Sequence, residues 1–352
     1  MKFAIVGAGA IAQLRKMALD MMPQASFVGV FDLDSARATA LAGGGLVFDS
    51  LASLAACDAD VVIISTPPHT HEAIATTALQ AGKHVIVEKP MSNSPEACAR
   101  MIALARDKGL VLTVGFNHRY FPAIKDLRDA ITSGAIGALS HVKGYAGHAG
   151  LAEFKAQWMY DKDVMGGGAL LDNGIHMIDL VQHVMGPVRQ VYGKALDKTW
   201  GLDRVEDNGY AILTGDDGVV GTIGASWTEW KGYHFFIEAY GTHGMARASY
   251  APMMSTLVTM DRPGGARKTR RNFYPGLILR EKLKGWQSTA AQTLAEEMSD
   301  FIALTRGGGA GGGGGAGGRI ASGADGLRAI EIAQAVYASS AGGGVITLPE
   351  GG

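Results

Sequence analysis

The first third of the chain alternates short apolar runs with amphipathic stretches. Segments 2–6, 27–31, 61–65, 84–87 and 110–115 are rich in Val, Ile and Phe and read as strands. Their nearly continuous apolarity suits a parallel sheet covered on both faces by crossover helices. Between them, 10–21, 35–41, 71–82 and 94–109 carry helical patterns. The last has a defined start and stop: Ser94 caps, Pro95 takes the first helical position and Gly109 closes the end. Strict alternation of strand and helix predicts βαβ units in a doubly wound α/β sheet.

The rhythm changes after about residue 120. Longer strand-like segments appear at 139–147, 188–198, 209–214, 219–228 and 235–240. Gly215-Asp216-Asp217-Gly218 supplies hairpin turn chemistry between two of them. A helical segment at 169–185 interrupts the strands, and two more helices are expected at 290–305 and 325–340. This pattern predicts an α+β domain with a mostly antiparallel, open-faced sheet. The expected division is 1–120 and 121–352, with the glycine-rich stretch 307–318 as a flexible segment.

Composition narrows the function. With 352 residues, 47% of them hydrophobic, the chain can build a sizeable core. Its 32 basic and 33 acidic residues leave a net charge of −1, which gives no reason to expect a nucleic-acid or membrane partner. Cys57 and Cys98 lack disulfide or metal-ligand spacing, and no metal is expected. No apolar run reaches membrane-spanning length. Gly7 and Gly9 break the apolar start before a signal sequence forms, so a cytoplasmic location is expected.

The chemistry begins at Gly7-Ala8-Gly9-Ala10-Ile11-Ala12, a GxGxxA pattern between a predicted strand and helix. Gly7 permits the tight turn, Gly9 lets backbone approach a pyrophosphate, and Ala12 lets helix and strand lie close. Helix N–H groups then face the phosphates. Asp32, closing the next strand, can accept from the adenosine ribose hydroxyls and repel a 2′-phosphate, which favours NAD over NADP. The plainer reading is that Asp32 caps the turn Phe31-Asp32-Leu33-Asp34.

Further motifs follow in order: Ser65-Thr66-Pro67-Pro68-His69-Thr70-His71, Glu88-Lys89-Pro90, Gly115-Phe116-Asn117-His118-Arg119-Tyr120, and Gly166-Gly167-Gly168-Ala169-Leu170-Leu171-Asp172-Asn173-Gly174-Ile175-His176. Over nearly its whole length the chain resembles the Gfo/Idh/MocA family, which includes glucose–fructose oxidoreductase and inositol dehydrogenase. The resemblance implies Lys89, Asp172 and His176 as catalytic residues. It also implies that Gly7, Gly9, Ala10, Ile11, Asp32, Thr66, Pro67, His71, Glu88 and Lys89 face NAD. Substrate contacts would come from Lys89, Asn117, Arg119, Asp172, Asn173 and His176. Residue spacing agrees in part: Asp172 and His176 are four apart on a predicted helix, on one face, and Lys89 follows a strand at the end where open α/β sheets bind ligands.

Those residues imply hydride transfer between nicotinamide and a secondary hydroxyl of a sugar or cyclitol. Imidazole titrates near neutrality, so His176 suits the general base; Lys89 steadies the developing alkoxide and Asp172 orients substrate or imidazole. Rival readings are an NAD-dependent glycosidase using transient oxidation and a non-catalytic nucleotide sensor. Asn117 and Arg119 either contact substrate or hold the domain crossover. His71 packs the turn beside the nicotinamide, and the His69/His71 pair binds no metal. Asp179 and His183 take structural roles. Met159 follows Trp158 where the family often has arginine, so an anion contact is not carried over. The run Arg267-Lys268-Thr269-Arg270-Arg271 reads as a solvated loop or strand edge. A homodimer or homotetramer built on the open sheet face is expected.

Overall fold

The computed structural model describes residues 1–152, 156–307 and 318–350. Most of the glycine-rich stretch, 308–317, lies outside the described residues. The chain forms two compact units: Met1–Tyr120 with Arg280–Leu327, and Phe121–Leu279 with Arg328–Gly352. Residues 280–327, assigned from sequence to the second domain, therefore belong to the first unit.

The first unit opens with β1 (Lys2–Val6), α1 (Ala10–Asp20), β2 (Ser26–Phe31), α2 (Ser35–Ala42), β3 (Leu46–Val47) and α3 (Leu51–Ala55). It continues through β4 (Val61–Ile64), α4 (His71–Gln80), β5 (His84–Val87), α5 (Pro95–Asp107) and β6 (Leu112–Val114). All six strands run parallel, in the order β3-β2-β1-β4-β5-β6. The order reverses between β1 and β4, the point where doubly wound sheets bind ligands. Helix ends follow the expected chemistry: Ser94 accepts from the Ala97 N–H, with Pro95 at the first position of α5.

The second unit contains α6 (Pro122–Thr132), β7 (Leu139–Gly147), α7 (Lys162–Met165), α8 (Ala169–Asp172) and α9 (Gly174–Met185). Seven strands follow: β8 (Val188–Leu196), β9 (Asn208–Gly215), β10 (Val220–Ser226), β11 (His234–Gly241), β12 (Gly244–Tyr250), β13 (Met254–Met260) and β14 (Arg267–Asn272). After α10 (Pro275–Lys284), α11 (Gln287–Arg306) and α12 (Gly323–Gly342), β15 (Ile346–Thr347) completes a nine-stranded sheet ordered β14-β13-β12-β11-β7-β10-β9-β8-β15. Only β7 and β10 pair in parallel; the other neighbours are antiparallel.

Small residues let α9 lie close on this sheet. A β-carbon on Gly144 of β7 would come 2.2 Å from Met177 Sδ, and one on Gly221 of β10 would come 2.8 Å from Met185 Sδ. The expected hairpin closes as β9–β10, with Thr214 opposite Val220. The basic run forms β14, the outer strand of the sheet, where charged side chains protect an unpaired edge. Among the described residues, no helix is long and apolar enough to cross a membrane.

Candidate active site

The glycine loop lies at the switch point of the first unit. Gly7 has φ +95°, and a β-carbon there would sit 2.6 Å from the Ser65 carbonyl oxygen, so only glycine fits. Gly9 caps α1 without a side chain, and a β-carbon on it would meet nothing within 4 Å. No packing against the protein demands glycine at position 9; the bare backbone leaves room for a phosphate at the start of α1, whose first turn carries no acidic residue. Beside Gly7, the Ser65 hydroxyl is buried with no hydrogen-bond partner among the described residues, a donor that sequence reading did not single out.

Asp32 caps the turn, as the plainer reading has it. One carboxylate oxygen accepts from the Asp34 N–H at 2.8 Å, a turn cap, and the other accepts from the Ala8 N–H at 2.6 Å. A carboxylate has about four acceptor positions, so capacity remains for ribose hydroxyls. Thr66 pairs with the Thr70 hydroxyl at 2.7 Å. His71 is fully buried, with Nε2 2.7 Å from the Thr66 carbonyl and Nδ1 3.2 Å from that of Met91. Burial holds its pKa below the ordinary value. The ring thus braces the turn from inside.

Glu88, expected beside the cofactor, is engaged within the protein: Oε1 accepts from Arg15 Nε at 2.7 Å, and Arg15 also binds Glu297 of α11. All three are buried. A β-carbon on Gly115 would come 2.6 Å from Arg15 Nη2, which explains the glycine there. Of the two readings of Arg119, its contacts favour a structural tie. The residue is 3% exposed and directed at the returning segment, with Nη1 3.5 Å from the Ile320 carbonyl and Nη2 3.6 Å from Asp325. The half-buried Asn117 donates to Thr293 of α11 at 3.0 Å. Both residues tie residues 280–327 to the first unit.

Lys89 is half-buried just beyond β5, and its peptide bond to Pro90 is cis. Burial and then the Lys89 charge push the His118 imidazole down to about 3. The two side chains therefore lie within electrostatic reach, and His118 is neutral at pH 7.

In the second unit the helix expected at 169–185 is two helices. Asp172 ends α8, Asn173 joins the segments in a helical conformation, and His176 lies in the first turn of α9. A β-carbon on Gly174 would come 2.6 Å from Ala225 Cβ, so the junction presses on β10. Asp172, Asn173 and His176 are all buried. Asp172 Oδ2 accepts from His148 Nε2 at 2.9 Å and from the Trp227 indole at 3.0 Å. The Gly150 N–H donates to His148 Nδ1 at 3.0 Å, which places the ring proton on Nε2, aimed at Asp172. Tyr160 lies edge-on to Trp227 at 5.3 Å; burial, and then the Asp172 charge, push its phenol up to about 12. Tyr233 is raised by the same causes.

Asn173 differs from these neighbours. It is 7% exposed, yet among the described residues neither its Oδ1 nor its Nδ2 has a hydrogen-bond partner. A buried amide left unsatisfied costs about 1–3 kcal/mol per group, so the position calls for a polar ligand. The glycine triplet is held by Glu206, whose carboxylate accepts from the Gly168 and Leu170 N–H groups and from the Tyr337 hydroxyl, each at 2.9 Å. Sequence reading missed His148, Trp227 and Glu206. His148 and Trp227 follow Gly147 and Ser226, which are opposite each other in the parallel β7–β10 pair; no periodicity along the chain reveals that pairing. Asp179 is buried, and His183 meets Arg128 of α6.

A doubly wound sheet with a bare glycine loop at its switch point and an acidic residue closing β2 defines a dinucleotide-binding protein. The comparisons agree. Residues 1–116 match the family described as "Oxidoreductase family, NAD-binding Rossmann fold", and 124–247 match the "GFO/IDH/MocA C-terminal domain". The chain is 35% identical to levoglucosan dehydrogenase of Pseudarthrobacter phenanthrenivorans over 45% of its own length and 40% of that relative's. It is 31% identical to dTDP-3,4-didehydro-2,6-dideoxy-alpha-D-glucose 3-reductase of Streptomyces antibioticus, covering 71% of this chain and 76% of the relative. The solved structure of GenD2 from gentamicin A biosynthesis, in complex with NAD, superposes with a TM-score of 0.81 at 25% identity, over 99% of this chain and 96% of that one. The chain belongs to the Gfo/Idh/MocA oxidoreductase family.

Proposed function

We propose that this protein is an NAD-dependent dehydrogenase or reductase acting on a secondary hydroxyl or ketone of a sugar or cyclitol. The observation that carries this reading is the unsatisfied Asn173 amide between Asp172 and His176, all three buried. A polyhydroxylated ligand supplies both donors and acceptors to such a site. Relatives named as acting on levoglucosan and on a deoxy-sugar nucleotide support the substrate class.

NAD, held by the glycine loop and Asp32, supplies the hydride acceptor. The remaining work falls to the chain. His176 takes the hydroxyl proton, or returns it in reduction. Lys89 donates a hydrogen bond to the same oxygen and steadies its developing charge. Asp172, fixed by two N–H donors, orients substrate. Asn173 reads a neighbouring hydroxyl. A cytoplasmic setting follows, since the cofactor is drawn from the intracellular pool. Self-association through the open sheet face is part of the same reading, because Tyr192, Tyr210, Ile212 and Val220 are exposed on it.

The test is a panel of sugars and cyclitols with NAD and with NADP, followed by absorbance of the reduced cofactor. Turnover with NAD on at least one polyol is expected. Lys89→Met and His176→Ala should each lose about 100-fold or more in kcat while still quenching or shifting NADH fluorescence on binding. Undiminished turnover in either variant would remove that residue from the mechanism.

A further inference from the structure

The side of the second unit that carries Asp172 also carries more aromatic surface than a small cyclic polyol needs. Trp227 is buried, with its indole N–H on Asp172. Its carbonyl accepts from the Trp200 indole N–H at 2.9 Å, and Trp200 packs on Trp230 with ring centres 5.7 Å apart and planes inclined at 60°. Trp230 is 64% exposed. Gly150, at φ +59°, makes this arrangement possible: its N–H holds His148, and a β-carbon on it would come 2.8 Å from Trp227 and 3.0 Å from the Trp200 indole nitrogen. The same backbone turn therefore positions both the Asp172 partner and the outer aromatic pair.

The loop displaying Trp230 is pinned at several points. The Glu229 N–H donates to the His148 carbonyl at 3.1 Å, and its carboxylate accepts from the Tyr145 hydroxyl at 3.0 Å. The Gly232 N–H closes the turn on the Glu229 carbonyl at 3.1 Å, with Gly232 at φ +93°. A large indole held outward on a fixed turn is a costly way to face water, since burying such a ring is strongly favourable. The C–H faces of a pyranose, or an aryl group, complement an indole face, whereas the hydroxyl-rich edges go to Asp172, Asn173 and His176.

We propose that Trp200 and Trp230 form a platform for a second ring of the substrate, so that the preferred substrate is a glycoside with a sugar or aryl group attached to the ring held at Asp172. This inference rests on the proposed dehydrogenase reading, and it predicts a preference among substrates that the reading alone does not. A free monosaccharide or cyclitol fills only the polar end.

The experiment compares methyl and phenyl β-glucosides as substrates with NAD, in the full-length wild type and in Trp230→Ala and Trp230→Phe. In the wild type, phenyl glucoside should show the higher kcat/KM. Trp230→Ala should lose about tenfold more kcat/KM on phenyl than on methyl glucoside, mostly through KM, and Trp230→Phe should recover much of the difference. Equal losses on both substrates, or none on either, overturn the platform. So does a loss that tracks a change in sedimentation, which would assign Trp230 to an interface between copies. If the wild type turns over neither glucoside, the comparison passes to calorimetric titration of phenyl glucoside into the NADH-bound protein. Binding weakened by Trp230→Ala then supports the platform while the dehydrogenase reading fails; no binding, or unchanged binding, overturns the platform.

Discussion

Arg15 faces two carboxylates with one charge. Its guanidinium is fully buried, and both Glu88 and Glu297 contact it. Desolvation, with repulsion from Glu88 added, pushes the Glu297 carboxyl up to about 7 against the pull of Arg15. The folded protein therefore holds a proton that the unfolded chain releases above about pH 4.5. Stability from this group is complete below that pH and is lost as the pH rises through 7. Glu297→Gln keeps an acceptor for Arg15 but removes the titration. Its melting temperature relative to wild type should climb between pH 5 and 8, by an amount worth on the order of 2–3 kcal/mol at the alkaline end. Calorimetry across that range checks it; a difference independent of pH would mean that Glu297 is ionised throughout. At this same scale the sequence was legible where a short motif carries its own geometry, as at Gly7, Gly9 and Asp32. It was not legible at Glu88, which the Glu-Lys-Pro motif assigns to the cofactor while the fold pairs it with Arg15. The partner that claims Glu88, Arg15, lies on α1, and Arg15 in turn binds Glu297 of α11, both far away along the chain.

The glycine triplet before α8 shows how one element is set in place by others. Gly168 starts the helix without a capping side chain, and Glu206 substitutes by accepting two of its free N–H groups. The approach leaves no room: a β-carbon on Gly168 would lie 2.0 Å from the Glu206 carbonyl oxygen, and one on Gly167 would lie 2.0 Å from the Tyr337 hydroxyl. Gly168→Ala should therefore cost about 2–3 kcal/mol, with a larger fall in turnover than in NADH binding, because Asp172 ends the displaced helix. Gly276→Ala is the control. A β-carbon there meets nothing within 4 Å, and alanine in the first turn of α10 should be neutral or slightly stabilising. Equal melting temperatures for the two variants would show that α8 tolerates the shift. The elements that sequence periodicity found are those with strong alternation or clear caps, such as β1, β5, α5 and β7. It missed β12 and β13, where glycine and threonine break the apolar alternation, and β3 and β15, which are two residues long; the basic run of β14 is legible only as a loop or strand edge. It read α8 and α9 as one helix because Asn173 keeps helical dihedrals across the junction.

At the scale of the whole molecule, chain order and spatial order diverge. Residues 280–327 return to the first unit, a choice made by packing that local pattern does not announce: Leu294, Met298, Phe301 and Ile302 complete the core against α1 and β1. The nine-stranded sheet poses a different problem, since its second face exposes Tyr192, Tyr210, Ile212 and Val220. Register aligns Tyr192, Ile212, Thr222, Lys143, Glu238 and Arg247 across six strands from β8 to β12. Residues opposite one another in register share a face, so this row is apolar at one end and alternates in charge at the other. The apolar end of such a row can meet its own copy across a two-fold axis, Tyr192 and Ile212 supplying the contact. Ile212 is 49% exposed and Tyr210 44%, and a lysine at 212 would be solvated in a lone subunit but buried without a partner in the paired one. Ile212→Lys should therefore leave the melting temperature of the isolated subunit within about 0.5 kcal/mol of wild type while shifting sedimentation to a smaller species. Glu238→Lys should act in the same direction by placing like charges in register with Lys143 and Arg247. If wild type sediments as an oligomer and neither substitution changes it, self-association uses another surface; if wild type is already monomeric at micromolar concentration, the open face is left to solvent and its apolar row needs a different explanation.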